Sequence, residues 1–112
     1  MHNELWLNEI DIEMRRAQEA REIGHEGRLR VSARRMAAIA LREYSRTGRS
    51  ALSPADDMLG MLRVCAASQV MPKEVREAAD RLQTHVTPDF TSPSTDPVAD
   101  AMVIVSFVRA NY

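Results

Sequence analysis

Charge is divided unevenly along this chain. Residues 1–26 carry seven acidic side chains (Glu4, Glu9, Asp11, Glu13, Glu19, Glu22, Glu26) against three arginines. Residues 28–49 reverse the balance, with seven arginines (Arg28, Arg30, Arg34, Arg35, Arg42, Arg46, Arg49) against Glu43 alone. Both stretches also place apolar residues at steps of three and four, the spacing of a helix with one buried face. Two consecutive helices of opposite charge constrain the fold to a helical hairpin, or to an oligomer seam that sets acid against base.

The first helix is expected over residues 3–23, with Trp6, Ile10, Met14, Ala17 and Ala20 as its stripe and Ile23 extending it. Asp11 to Arg15 and Arg15 to Glu19 are i,i+4 pairs on its outer face, each worth about 0.3 kcal/mol. Gly24 is placed to end the helix, because glycine enters the left-handed region at little cost. The second helix is expected over residues 26–47. Leu29, Ala33, Met36, Ala37, Ala40 and Tyr44 form one stripe; Val31, Ala38 and Leu41 form another. So wide an apolar surface implies more than one neighbour, and the alanines allow close approach. Gly48 then stops the helix.

Ser53-Pro54-Ala55-Asp56 reads as the start of a third helix, with Ser53 as cap, Pro54 in the first position and Asp56 favoured by the dipole. That helix runs to about Ser68 and buries Met58, Leu62, Cys65 and Ala66. Pro72 opens a fourth, whose core face is Val75, Ala78, Ala79, Leu82 and Val86. Residues 87–96 read as a loop by composition, and Asp96-Pro97 as another cap. The last segment, 98–112, contains Val103, Ile104, Val105 and Val108, which favour strands. A lone strand would have no partner, so a helix is expected, apolar nearly all round and central in the bundle.

A chain of 112 residues makes one domain, 1–112, with a single modest core. Aromatics are only 4% of it, which favours helix packing over a sandwich. The net charge of -1 provides no global attraction to nucleic acid or to an acidic membrane; any such attraction must come from residues 28–49. The single cysteine, Cys65, excludes a disulfide framework and a multi-cysteine zinc site and suits a reducing compartment. The start Met1-His2-Asn3-Glu4 lacks the basic and apolar parts of a signal peptide. The longest apolar run, near 101–108, is far short of the ~20 residues of a membrane span. The expected location is the cytoplasm, with no membrane contact.

The order of segments resembles a small HEPN domain (higher eukaryote and prokaryote nucleotide-binding domain). Trp6 opening the first helix, the Gly24 break and the run Arg34-Arg35-Met36-Ala37-Ala38-Ile39-Ala40 are similar to the family's first hairpin. Residues 71–82, from Met71-Pro72-Lys73-Glu74 to Asp80-Arg81-Leu82, resemble a later helix. Gln83-Thr84-His85-Val86-Thr87-Pro88-Asp89-Phe90 resembles the loop that follows it, and 96–108 the closing helix. The resemblance implies an all-α up-and-down bundle of four to five helices, often dimeric. Some such proteins are toxin ribonucleases beside a small nucleotidyltransferase antitoxin, and others bind without catalysis. The nucleases carry an arginine, four to six residues, then a histidine, commonly with a tyrosine two positions on. In this chain the nearest match is Arg81 and His85, with three residues between and Thr87 in the tyrosine position. The family's Arg-Tyr-Pro after the loop proline is here Asp89-Phe90-Thr91-Ser92-Pro93. Both departures point to a binding member before a nuclease.

On the residues alone, Arg81 and His85 would share one face of the fourth helix. His85 could then serve as general acid or base and Arg81 could stabilise phosphorane charge. The plainer reading is a solvated stripe, with Glu77 and Arg81 paired and His85 near the helix C-terminus. Arg28, Arg35, Arg42, Arg46 and Arg49 fall broadly on one side of the second helix and could grip phosphate or a protein partner. Against this, base-stacking aromatics are missing apart from Tyr44, and the acidic first helix lies beside them; a charge-paired outer face is the alternative. His2 and His25 have no companion at ligand spacing, so no metal and no cofactor are assigned; His25 reads as helix-start polarity and Cys65 as core. The apolar run 101–108 and Met36, Met58, Met61 and Met102 suit either core or a partner surface. The expected protein is a homodimeric, HEPN-like binding module that takes nucleotide or RNA or serves a nucleotidyltransferase or toxin–antitoxin pair. A divergent ribonuclease using Arg81 and His85, and a purely structural adaptor, are the alternatives.

Overall fold

Gly24 makes the first turn. It takes φ +72°, the His25 N–H donates to the Ala20 carbonyl at 2.8 Å, and the Gly24 N–H donates to Arg21 at 3.1 Å. This pair of bonds is the Schellman ending of a helix. His25 opens the next helix at once, its Nδ1 accepting from the Arg28 N–H at 3.1 Å as a side-chain cap. The computed structural model describes residues 5–46, 57–84 and 95–111. They form α1 (Leu5–Glu22), α2 (Glu26–Arg46), α3 (Met58–Ala67), α4 (Lys73–Gln83) and α5 (Pro97–Asn111), with no strand among the described residues.

The chain is an all-α bundle built around α2, which packs against every other helix. Its wide apolar surface explains this: Ala33, Met36, Ala37, Ala40 and Leu41 are all 0% exposed. Alanines at these positions let α5 come close, and α5 in turn buries Ala101, Ile104, Val105 and Val108. The Tyr44 and Phe107 rings meet across the α2–α5 contact at 5.5 Å. The strand-favouring residues of α5 are therefore helical, because a buried apolar face outweighs local propensity. Met36, Met61 and the face of 101–108 are core rather than partner surface. α1 is the outlier: among the described residues α2 is the only helix it meets more than marginally.

Caps set the other boundaries. The Asp96 side chain accepts from the Ala99 N–H at 3.1 Å, with Pro97 in the first helical position, as its sequence signals. Pro72 precedes α4, and Val75, Ala78, Ala79 and Leu82 form its buried face as expected. The proposed start at Ser53–Asp56, Gly48 and Val86 lie outside the described residues. α3 begins instead after Asp57, whose extended backbone and side-chain bond to the Gly60 N–H cap it. Met61 is buried there, while Met58 and Ala66 are only half-buried, because the helix turns 61, 62 and 65 inward. Ile23 does not extend the α1 stripe: it lies beyond the helix end and is 66% exposed. Val31 is also partly exposed, at 36%. The expected Asp11–Arg15 and Arg15–Glu19 pairs do not form among the described residues; Arg16 instead reaches Glu13 at 2.8 Å.

Candidate functional site

Arg81 does not stand free on α4. Its Nη2 donates to Asp100 Oδ1 at 2.8 Å and its Nε faces both Asp100 oxygens at 3.2 Å. This forked grip, arginine to carboxylate, fastens α4 to α5. The hydrogen bonds it donates to Asp100 hold the guanidinium above its ordinary pKa; burial opposes them, and the charges of Asp100, Glu77 and Asp80 reinforce them. Glu77 is not its partner in a salt bridge; that carboxylate meets Lys73 at 3.8 Å. α4 stops at Gln83, and Thr84 is extended at φ -76°, ψ 135°. His85 itself lies outside the described residues. Of the suggested pair, Arg81 is thus an inter-helix strut.

The arginines of α2 divide by circumstance. Arg49 lies outside the described residues. Arg46 is held by Glu43 on its own helix at 2.8 Å. Arg34, which falls outside that basic row, turns inward and donates from Nε to the Leu82 carbonyl at 2.6 Å. It thereby answers one of the carbonyls left over at the end of α4, and burial, then Arg30, lowers its pKa. Arg28, Arg35 and Arg42 remain exposed, at steps of seven on one face. Of these, Arg35 approaches Glu13 of α1 at 3.8 Å, so the acidic helix does neutralise part of the basic one. Glu13 was not foreseen as buried, yet its side chain is 7% exposed between Arg16 and Arg35. Arg28 forms no ion pair among the described residues.

Between α1 and α2 runs an open groove of about 780 Å³. Ala20 and Ser32, both buried, form its floor. Arg16, Arg28 and Arg35 line it with Glu19 the one acidic residue, and Ile23, Val31 and His25 supply a less polar wall. The Schellman turn at Gly24 creates this wall, because it swings Ile23 out of the α1 stripe and brings His25 to the head of α2. Periodicity hides the groove, because Ile23 and Val31 read as core. A second hollow, about 330 Å³ and lined by Ala66, Lys73, Arg76, Glu77 and Asp80, sets two cations against two carboxylates and selects no charge. Among the described residues no three His, Cys, Asp or Glu side chains gather as metal ligands, and no helix is long and apolar enough to cross a membrane. Comparison with known protein families, with curated proteins and with solved structures finds no match to this chain.

Proposed function

We infer that this protein is a binding module without catalysis of its own, and that it takes an anionic partner in the α1–α2 groove. One observation carries the reading. The groove sets Arg28, which has no carboxylate partner among the described residues, beside Arg35, which has only a loose one. The arginine suited by sequence to catalysis is already neutralised by Asp100. Arginine without a matched carboxylate is available to phosphate or carboxylate groups. The HEPN-like resemblance, a homodimeric state and service beside a nucleotidyltransferase or in a toxin–antitoxin pair belong to the same proposal. A protein contact is the second reading, favoured by Leu5 and Ile12, which are 65% and 47% exposed seven residues apart on α1.

The test is fluorescence anisotropy with a short labelled RNA across a salt series, with the RNA analysed for cleavage afterwards. The groove reading expects binding that weakens steeply with salt, is lost in an Arg28→Glu/Arg35→Glu variant, and leaves the RNA intact. RNA binding that the double variant leaves unchanged would overturn it, as would cleavage that disappears in Arg81→Ala. Binding of a protein partner that ignores salt would favour the apolar flank of α1.

A further inference from the structure

Ser32 is 4% exposed, and its hydroxyl forms no hydrogen bond among the described residues. It lines the floor of the α1–α2 groove. That oxygen is not one of the sealed, unsatisfied atoms of the interior, so it opens onto the groove, where it can donate to a ligand atom. Arg28 and Arg35 stand four residues before it and three after, so all three lie on adjoining turns of one α2 face. Arg16, the third groove arginine, is already answered by Glu13 at 2.8 Å. Two guanidinium groups thus flank one free hydroxyl. Resting on the groove reading above, we propose that this triad is a site for the phosphate of a small phosphomonoester, with the body of the molecule lying on Ile23 and Val31.

Charge and size select this ligand class. Arg28, which has no ion pair among the described residues, and Arg35, whose Glu13 contact is loose at 3.8 Å, match a dianionic phosphate better than a single carboxylate, and each can bind it through two parallel hydrogen bonds. Ser32 donates a further bond to a phosphate oxygen. A volume of about 780 Å³ lies inside the ~300–1,000 Å³ range of small-molecule sites, much more than an inorganic ion fills. Ile23 at 66% and Val31 at 36% exposure give the remaining space an apolar side. His25 adds a flat ring at the same wall. Its Nδ1 is already occupied as acceptor from Arg28 N–H, so Nε2 is the edge left for a ligand.

The experiment is a titration of the full chain with phenyl phosphate and, separately, with inorganic phosphate, followed by backbone amide NMR shifts. Wild type is compared with Arg28→Gln, Ser32→Ala and Arg42→Gln. The proposal expects saturable shifts at 20–35 with phenyl phosphate and at least about tenfold weaker binding of inorganic phosphate. It expects losses of about tenfold in Arg28→Gln and in Ser32→Ala, the size of one charge-assisted bond, and none in Arg42→Gln. Ser32→Ala only removes an oxygen, so its amide spectrum also reports whether the fold is kept. Equal affinity for both phosphates, or equal loss in Arg42→Gln, would overturn the proposal in favour of a diffuse basic surface. If phenyl phosphate fails to bind while RNA still binds through Arg28 and Arg35, the phosphomonoester site is refuted and the groove reading stands.

Discussion

The α4–α5 seam and the α1–α2 groove both present arginine, and the contrast lies in what meets it. At the seam Arg81 faces Asp100, whose side chain is 12% exposed, and the pair closes on itself. In the groove Arg28 has no ion pair among the described residues, and Arg35 stands 3.8 Å from a glutamate that Arg16 holds more tightly. Where a buried carboxylate matches an arginine, the charge ties two helices together. Where none does, the guanidinium stays open to solvent along the groove. The two regions differ in packing in the same sense: α4 and α5 share the core, whereas α1 rests on α2 and leaves its outer flank open.

The largest effect that would sharpen this contrast is in the core. Ile104→Ala, at a position 0% exposed, is expected to cost about 2–5 kcal/mol in urea unfolding. Ile12→Ala on the open flank should stay within about 0.5 kcal/mol. Similar costs at the two positions would mean that the α5 face is not core or that α1 is covered. Next comes the seam. Arg81→Ala leaves Asp100 buried without its cation and is expected to cost about 2 kcal/mol. That is below the ~3–5 of a fully buried pair because the arginine side chain is 40% exposed and water screens it. Arg28→Ala, measured alongside, should cost under about 0.5 kcal/mol; if it proves as costly as Arg81→Ala, the groove arginine is structural too.

The smallest effect at neutral pH concerns Cys65, which is 0% exposed. Burial pushes its thiol from 9.0 up to about 12. Between those values the unfolded chain gives up the proton and the folded chain keeps it. Stability is therefore unaffected below about pH 9 and falls as pH rises through the window to about 12. A Cys65→Ala variant should lose that part of the alkaline slope in urea melts taken at successive pH values. A slope identical to wild type would show that the thiol does not contribute.

Much of the bundle could be read from residue order because the signals were local. Gly24 ends α1 and Asp96-Pro97 begins α5 through bonds that span a few residues, so glycine and cap chemistry were enough. The face of α4 emerged from its spacing of Val75, Ala78, Ala79 and Leu82. The site was legible only in part. Arg28 and Arg35 were marked by the arginine run, but Ser32, Ile23 and Val31 were not, since nothing in a 3.6-residue period shows where a neighbouring helix ends. Arg81 hid its role for a related reason: its carboxylate partner, Asp100, sits on another helix.

The amino-acid order by itself determined that this chain is helical, where its first two helices part, and that one of them is basic beside an acidic neighbour. Periodicity and capping act within a turn or two, and so are written in neighbouring residues. Only the tertiary structure decided which charges are spent. Asp100 meets Arg81 from nineteen residues away, and Arg34 reaches Leu82 from forty-eight. Such pairings depend on how helices cross, which apolar packing around α2 sets, and the same packing leaves Arg28, Ser32 and Arg35 along an open groove.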